Sequence, residues 1–336
     1  MRKTLQTIMT ALCLAAAVSG YWIWSAQQLR DGLAEQRRQA DARGRQISYQ
    51  DPEISGFPLK LDVSLTEPSI DVPGRWHWSG PTIEAQSWLF RPQDVAVSAA
   101  GDHQITLQRG SKTNRVSLTL RQASAELHIG ATGRVAAADM VFNDITGKLR
   151  DRLHFDLAAL TAFITRTESG DKDAPPGIDL ALSGQDFTLY SDLLQPFSNK
   201  IESLSLKGRL HDWRADDWNR EVLQDWRDRG GHLDVDRLGL VWNGLTVTAS
   251  GQLGLDEQLR PQGELDAWWR GLPDLVDQLT AAKMIKAEAG MVMKFGLMAL
   301  ANRTAADGIT EVNLPLVFDD GQLSLGLIPL AALRPL

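Results

Sequence analysis

The sequence predicts a mainly β protein: an antiparallel meander forming a curved groove or an open barrel or sandwich, with helical insertions and one N-terminal transmembrane helix. Three observations predict it. Leu5 to Trp24 run without a charge behind Arg2 and Lys3 and close on Tyr21, Trp22 and Trp24, which is the roughly 20-residue length and the flanking chemistry of one membrane span. From Ile54 onward, apolar and polar residues alternate with period two in many short segments. Asn243-Gly244 and Asp320-Gly321 are hairpin-turn dipeptides set between such runs, as an antiparallel meander requires.

The anchor is assigned to residues 1–25. A cleaved signal peptide is the rival reading, because Ala15-Ala16-Ala17 and Ala17-Val18-Ser19 offer small residues at signal-peptidase spacing. The apolar run favours a retained anchor, since it continues through Trp24 to bilayer thickness. Cys13 follows Leu12 rather than a small residue, which argues against a lipoprotein. Residues 26–46 read as a helical stalk. Its Arg30, Arg37, Arg38 and Arg43 are either solvated or set against anionic headgroups, and they balance Arg2 and Lys3 so that the positive-inside rule leaves orientation open. The body has no cysteine, which suits an oxidising compartment and favours the periplasm.

Residues 1–46 carry seven Arg or Lys against three acidic residues, so of the total charge of −7 the rest of the chain holds −11. An acidic body excludes nucleic acid as a partner class, because phosphate binding needs clustered cations.

In the body, Phe57, Leu59, Leu61, Val63 and Leu65 share one strand face and predict a dry side beginning at Phe57. Similar alternation predicts strands over 82–90, 104–108, 116–120, 125–129, 135–142, 153–157, 178–189, 204–210, 233–242, 245–255, 311–318 and 323–327. The strands are close in sequence and do not alternate regularly with helices, so a doubly wound parallel sheet is excluded. The polar Pro/Gly stretch Ser169 to Gly177 reads as a linker, giving a first β-rich unit over 47–169 and a second over 178–336. Helical insertions are predicted at 216–229, with Trp218, Val222 and Trp226 on one face before Gly230-Gly231, and at 272–301, with Pro273 in its first turn.

No catalytic constellation emerges, so no enzyme is expected and no cofactor is assigned. The six histidines stand singly along the chain, none at metal-ligand spacing, and read as exposed strand residues. No metal site is assigned. Asp234 and Asp236 share a strand face and read as solvated. Gly110-Ser-Lys-Thr113 lacks the phosphate-cradling glycine pattern. Of eleven tryptophans, Trp22 and Trp24 belong to the membrane interface, and those of the body read mostly as core. The alternative is that some line an apolar groove with soft methionines: Met284, Met291, Met293 and Met298, beside Phe295 and Trp268.

Gly56-Phe57-Pro58 opening an alternating strand after the anchor, the hairpin Gly251 to Asp256 followed by Arg260 to Leu265, and the ending Asp320 to Pro329 with Pro335-Leu336 occur in an order that resembles domain of unknown function 2125, a family of Gram-negative envelope proteins. The strand-turn-strand style is more distantly similar to the AsmA-like envelope proteins. The resemblance implies an inner-membrane anchor, a periplasmic body and no assigned catalytic residues.

Two functions of different class follow. In one, the body binds or shields a lipid chain in an apolar groove, with the bilayer and a lipid as partners and the 272–301 helices as lid or wall. In the other, the apolar face is packed, and the protein is an assembly component acting through envelope protein partners.

Overall fold

The computed structural model describes the backbone of residues 2–109, 112–150, 153–167, 176–191, 198–215, 219–299, 301–304, 310–326 and 328–335, and their side chains except at 2–14, 109, 112, 298, 301–304 and 310. The chain divides into two compact units, Met1–His154 and Phe155–Leu336. Each is an antiparallel sheet carrying helices, as the alternating sequence predicts. The expected linker over 169–177 lies for the most part outside the described residues.

The first unit opens with α1 (Arg2–Ala42), then β1 (Gln46–Ser48), β2 (Glu53–Ser55), β3 (Lys60–Leu65), β4 (Ser69–Val72), β5 (Trp76–Ser79), β6 (Ile83–Trp88), β7 (Arg91–Ser98), β8 (Gly101–Arg109), β9 (Lys112–Ile129) and β10 (Val135–Leu149). Long β9 organises it. One edge pairs with β10 from Val116 to Ile129. The other edge is shared: its first half pairs with β8 and its second half with β7. Two limbs spread from that edge, β8–β5–β4–β1 and β7–β6–β3–β2. The two strands expected over 116–120 and 125–129 are therefore one.

Helix α1 lies on both limbs. Val18, Trp22 and the buried Ala26 pack with Ile54, Leu61 and Leu89, and further along the Tyr49 hydroxyl donates to the Leu33 carbonyl at 3.1 Å. Val18, Trp22, Ala26, Leu29, Leu33 and Ala40 recur at helical spacing, so a single stripe faces the sheet. The segment read as a stalk is thus docked. No helix among the described residues is long and apolar enough to cross a membrane, so the expected transmembrane helix is not found among them. The side chains of 2–14, the first part of the apolar run, lie outside that description.

The second unit contains β11 (Leu153–Thr167), β12 (Gly177–Tyr190), β13 (Lys200–His211), α2 (Arg220–Asp228), β14 (Leu233–Trp242), β15 (Leu245–Leu255), β16 (Pro261–Arg270), α3 (Leu272–Ala281), α4 (Ala287–Ala299), β17 (Ala301–Thr304), β18 (Thr310–Asn313), β19 (Leu316–Asp319), β20 (Gln322–Leu325) and β21 (Ile328–Ala332). Strands β12 to β16 pair in chain order, and β16 shares its outer edge between β18 and β19. Cross-strand rows such as Leu182, Leu206, Leu238, Ala249 and Ala267 put one apolar face along five strands.

That face is covered in sections. At one end, Leu223 and Trp226 of α2 close over Leu210 with Trp213 and Leu259. Asn219 caps α2 by accepting from the Val222 N–H. At the other end, α3 buries Leu272 against Leu245, Val247 and Val312. The insertion expected as one stretch over 272–301 is broken after Ala282, where Lys283 takes φ +59°. Helix α2 is shorter than the predicted 216–229, and Trp218 falls outside the described residues.

Candidate functional site

The first unit displays large apolar side chains that a strand pattern alone would bury. Phe57 is 57 % exposed and Phe90 65 %, with Trp24, Leu59 and Trp88 about half exposed beside them. The dry face predicted to begin at Phe57 begins instead at the buried Leu61. Residues 57–59 form a turn rather than the first step of β3, so the period-two rule does not apply to them. Gly56 sets that turn: it adopts φ +94°, and a Cβ there would stand 2.8 Å from the Lys60 carbonyl.

These side chains gather around one level of α1. The Tyr21 ring lies 5.8 Å from Trp24 and 6.2 Å from Phe90, and the Trp22 ring meets Phe57 edge-on at 5.7 Å. The Lys60 ammonium sits 5.0 Å over Trp88. Buried Leu89 holds the β6–β7 turn, so that Trp88 and Phe90 on either side of it project outward. The result is a collar of aromatic and aliphatic groups around the helix, with Lys60 and Arg91 beside it. An apolar recess of about 480 Å³ adjoins it, lined by Tyr21, Trp24, Leu29, Val63, Leu89 and Val95.

The groove residues expected in the second unit lie differently. Met291, Val292 and Phe295 of α4 are 63, 71 and 67 % exposed, and Met284 and Met293 are exposed as well. Met291 and Phe295 line a small recess with Asp277 and Thr280 of α3. Covering falls to α3 and to Leu297. Met298 lies outside the described side chains. Trp268 pairs with Thr248 and Asn313, while its neighbour Trp269 enters the core. Alternation therefore places Trp268 on the face opposite α3, and it does not join the methionines.

The fold also gathers groups that looked solitary in the sequence. His211 at the end of β13 and His232 just before β14 stack at 4.5 Å, and both meet Asp234. The His211 Nε2 lies 2.6 Å from one Asp234 oxygen and the His232 Nε2 3.7 Å from the other. A hydrogen bond from the Gln252 amide, followed by the two adjacent imidazoles, holds the Asp234 carboxyl below its ordinary range despite partial burial. Asp236, expected to share its face, is exposed at a bulge where the register shifts after Val235.

Residues 22–334 match the family described as an uncharacterized protein conserved in bacteria, domain of unknown function 2125. The chain belongs to this family. Neither a curated protein nor a solved structure matches it. The matched segment of this DUF2125 protein begins at Trp22, the residue that ties α1 to the sheet, and it takes in the histidine pair and, Tyr21 apart, the collar and recess. The family description assigns no activity, so what each feature can do rests on its own chemistry: the collar on apolar contact, the histidine pair on ligation or proton exchange.

Proposed function

We propose that this DUF2125 protein is an envelope protein held at the inner membrane by the part of its apolar N-terminal run that precedes the sheet-docked Val18, with its body in the periplasm and its first unit resting on the bilayer surface by the collar. The observation that carries this reading is the collar itself. Tyr21, Trp24, Phe57, Trp88 and Phe90 come from three separate chain segments and converge at the level where the apolar run ends. Aromatic rings with flanking cations are the composition favoured at the headgroup boundary, where one side of a group is wet and the other apolar. An exposed apolar cluster of this kind in a water-soluble surface would invite association. The acidic, cysteine-free body and the family resemblance favour the periplasmic side.

The recess beside the collar fits one acyl chain. Its volume is within the roughly 300–1,000 Å³ of ordinary ligand pockets, and its lining is chiefly apolar. Native mass spectrometry of the full chain in mild detergent tests this. The expected result is one phospholipid-mass adduct, lost when Val95→Trp fills the recess. A wild-type chain free of adduct under conditions that preserve folding would refute lipid occupancy.

The exposed side of α4 favours a second reading, assembly through protein contacts, since Met291 and Phe295, beside the exposed Val292, are adaptable or flat groups of the kind that protein interfaces bury.

A further inference from the structure

We infer that His211, His232 and Asp234 form a binding site for a single divalent transition-metal ion, of which zinc is the best chemical fit. The three donor atoms lie within 4.8 Å of one another. Two imidazoles and one carboxylate make a borderline-soft set that suits zinc and its first-row neighbours and disfavours calcium or magnesium, which take oxygen ligands.

Strand geometry builds the set. His232 and Asp234 are two residues apart and so share a face, while the pairing of Leu210 with Leu233 brings His211 alongside on the neighbouring strand. Backbone contacts fix the frame: the His211 N–H donates to the His232 carbonyl at 2.8 Å, and the Trp226 indole donates to the His211 carbonyl at 2.6 Å.

The outer contacts are those of ligands. The His232 Nδ1 sits 3.0 Å from the Gly230 carbonyl, so in the neutral ring that nitrogen carries the proton and Nε2 keeps its lone pair toward Asp234. Gln252 donates to the Asp234 carboxylate at 3.0 Å, orienting it from outside. The His211 Nε2 is shielded from solvent and lies 2.6 Å from Asp234. A metal ion would bind that nitrogen and the carboxylate together. Ligand atoms around tetrahedral zinc stand about 3.3 Å apart for bonds near 2.0–2.1 Å, so the three donor atoms, within 4.8 Å of one another, draw together by small side-chain rotations on binding. All three side chains are partly exposed, which leaves an entry path for an ion.

The test uses the untagged full chain in detergent, freed of metal by chelation. Titration with Co²⁺ should give the intense visible absorption of a tetrahedral nitrogen/oxygen site at one equivalent, displaced by Zn²⁺. Calorimetry with Zn²⁺ should give a micromolar or tighter constant, weakened at least tenfold in His232→Gln and in Asp234→Asn. Asp234→Asn keeps the size and the polarity of the side chain, so circular dichroism should show it folded even if the histidine variant is not. A wild-type chain that gives only the faint spectrum of hexaaqua Co²⁺, or an Asp234→Asn chain that binds Zn²⁺ as tightly as wild type, would overturn the site.

Discussion

The indole nitrogen of Trp22 donates a 2.7 Å hydrogen bond to the backbone carbonyl of Lys60. One bond thereby joins the helix that carries the apolar run to the strand that starts beside the collar. Its acceptor lies outside any helix, and the Trp22 ring also packs with Leu61 and Leu89. Trp22 thus reads in the sequence as a membrane-interface residue and in the fold as the pin between helix and sheet.

Removing the pin should be expensive. Trp22→Phe keeps the ring and strands the Lys60 carbonyl, at a cost of about 1–3 kcal/mol. Trp22→Ala also empties the packing site and should cost about 3–5 kcal/mol. Limited proteolysis reads the difference: the segment 27–43 of α1 should become cleavable in the alanine variant while the long β9–β10 pair stays resistant. Unchanged cleavage would mean that the helix is held elsewhere.

In the second unit, Leu259 sits in the β15–β16 turn at φ +64° and is wholly buried with Trp213, Leu223 and Trp226. A bulky residue rarely accepts that backbone region. Leu259→Ala should destabilise by about 2–5 kcal/mol, read from denaturant unfolding. Its loss should outweigh that of any single exposed residue of α4.

The same turn makes stability fall in acid. Burial alone would raise the Asp256 carboxyl, but the Arg260 backbone and guanidinium and the Gln258 N–H outweigh it and hold the group below its ordinary value of 3.8. Asp212 is lowered likewise, with Arg229 and Arg214 prevailing over burial. A carboxyl lowered in the folded state contributes stability above the unfolded value, and that contribution fades as the pH falls through 3.8 toward the folded value. Melting temperature should therefore drop as pH falls below about 4, and Asp256→Asn should flatten that dependence. A wild-type melting curve unchanged between pH 5 and 3 would contradict the turn's role.

How much of this was legible varied with the register. Strands β14 and β15 match their predicted spans, Leu233–Trp242 and Leu245–Leu255, because alternation and the Asn243-Gly244 turn, with both residues at positive φ, act together. The short β4 and β5 carried too few residues for a period to register. Phe57 and Leu59 fit the alternation by chance, being in a turn that Gly56 imposes. The histidine pair was hidden for another reason. His232-x-Asp234 is visible as a same-face pair, but His211 joins through the register of β13 with β14, and those strands are connected through α2 rather than by a tight turn that would fix it.

The α4 methionines illustrate an ambiguity of composition. Apolar residues occur all round the helix, so no stripe marks which side is buried. Replacing Met291, Val292 and Phe295 with Ser should leave the melting temperature nearly unchanged, as expected of surface sites worth within about 0.5 kcal/mol each. A cooperative loss of the strand signal in far-ultraviolet dichroism would show that these side chains are buried after all.

The most direct test of the membrane seat is a depth measurement on the full chain in phospholipid vesicles. With Cys13→Ser removing the single native thiol, a spin label is placed at Phe90→Cys in the collar, or at Arg75→Cys, whose carbonyl accepts from Gln108 near the opposite end of β9. The account predicts that the label at position 90 is relaxed by oxygen and shielded from a water-soluble nickel chelate, while the label at position 75 responds the other way. Equal, water-like accessibility at both positions would contradict it.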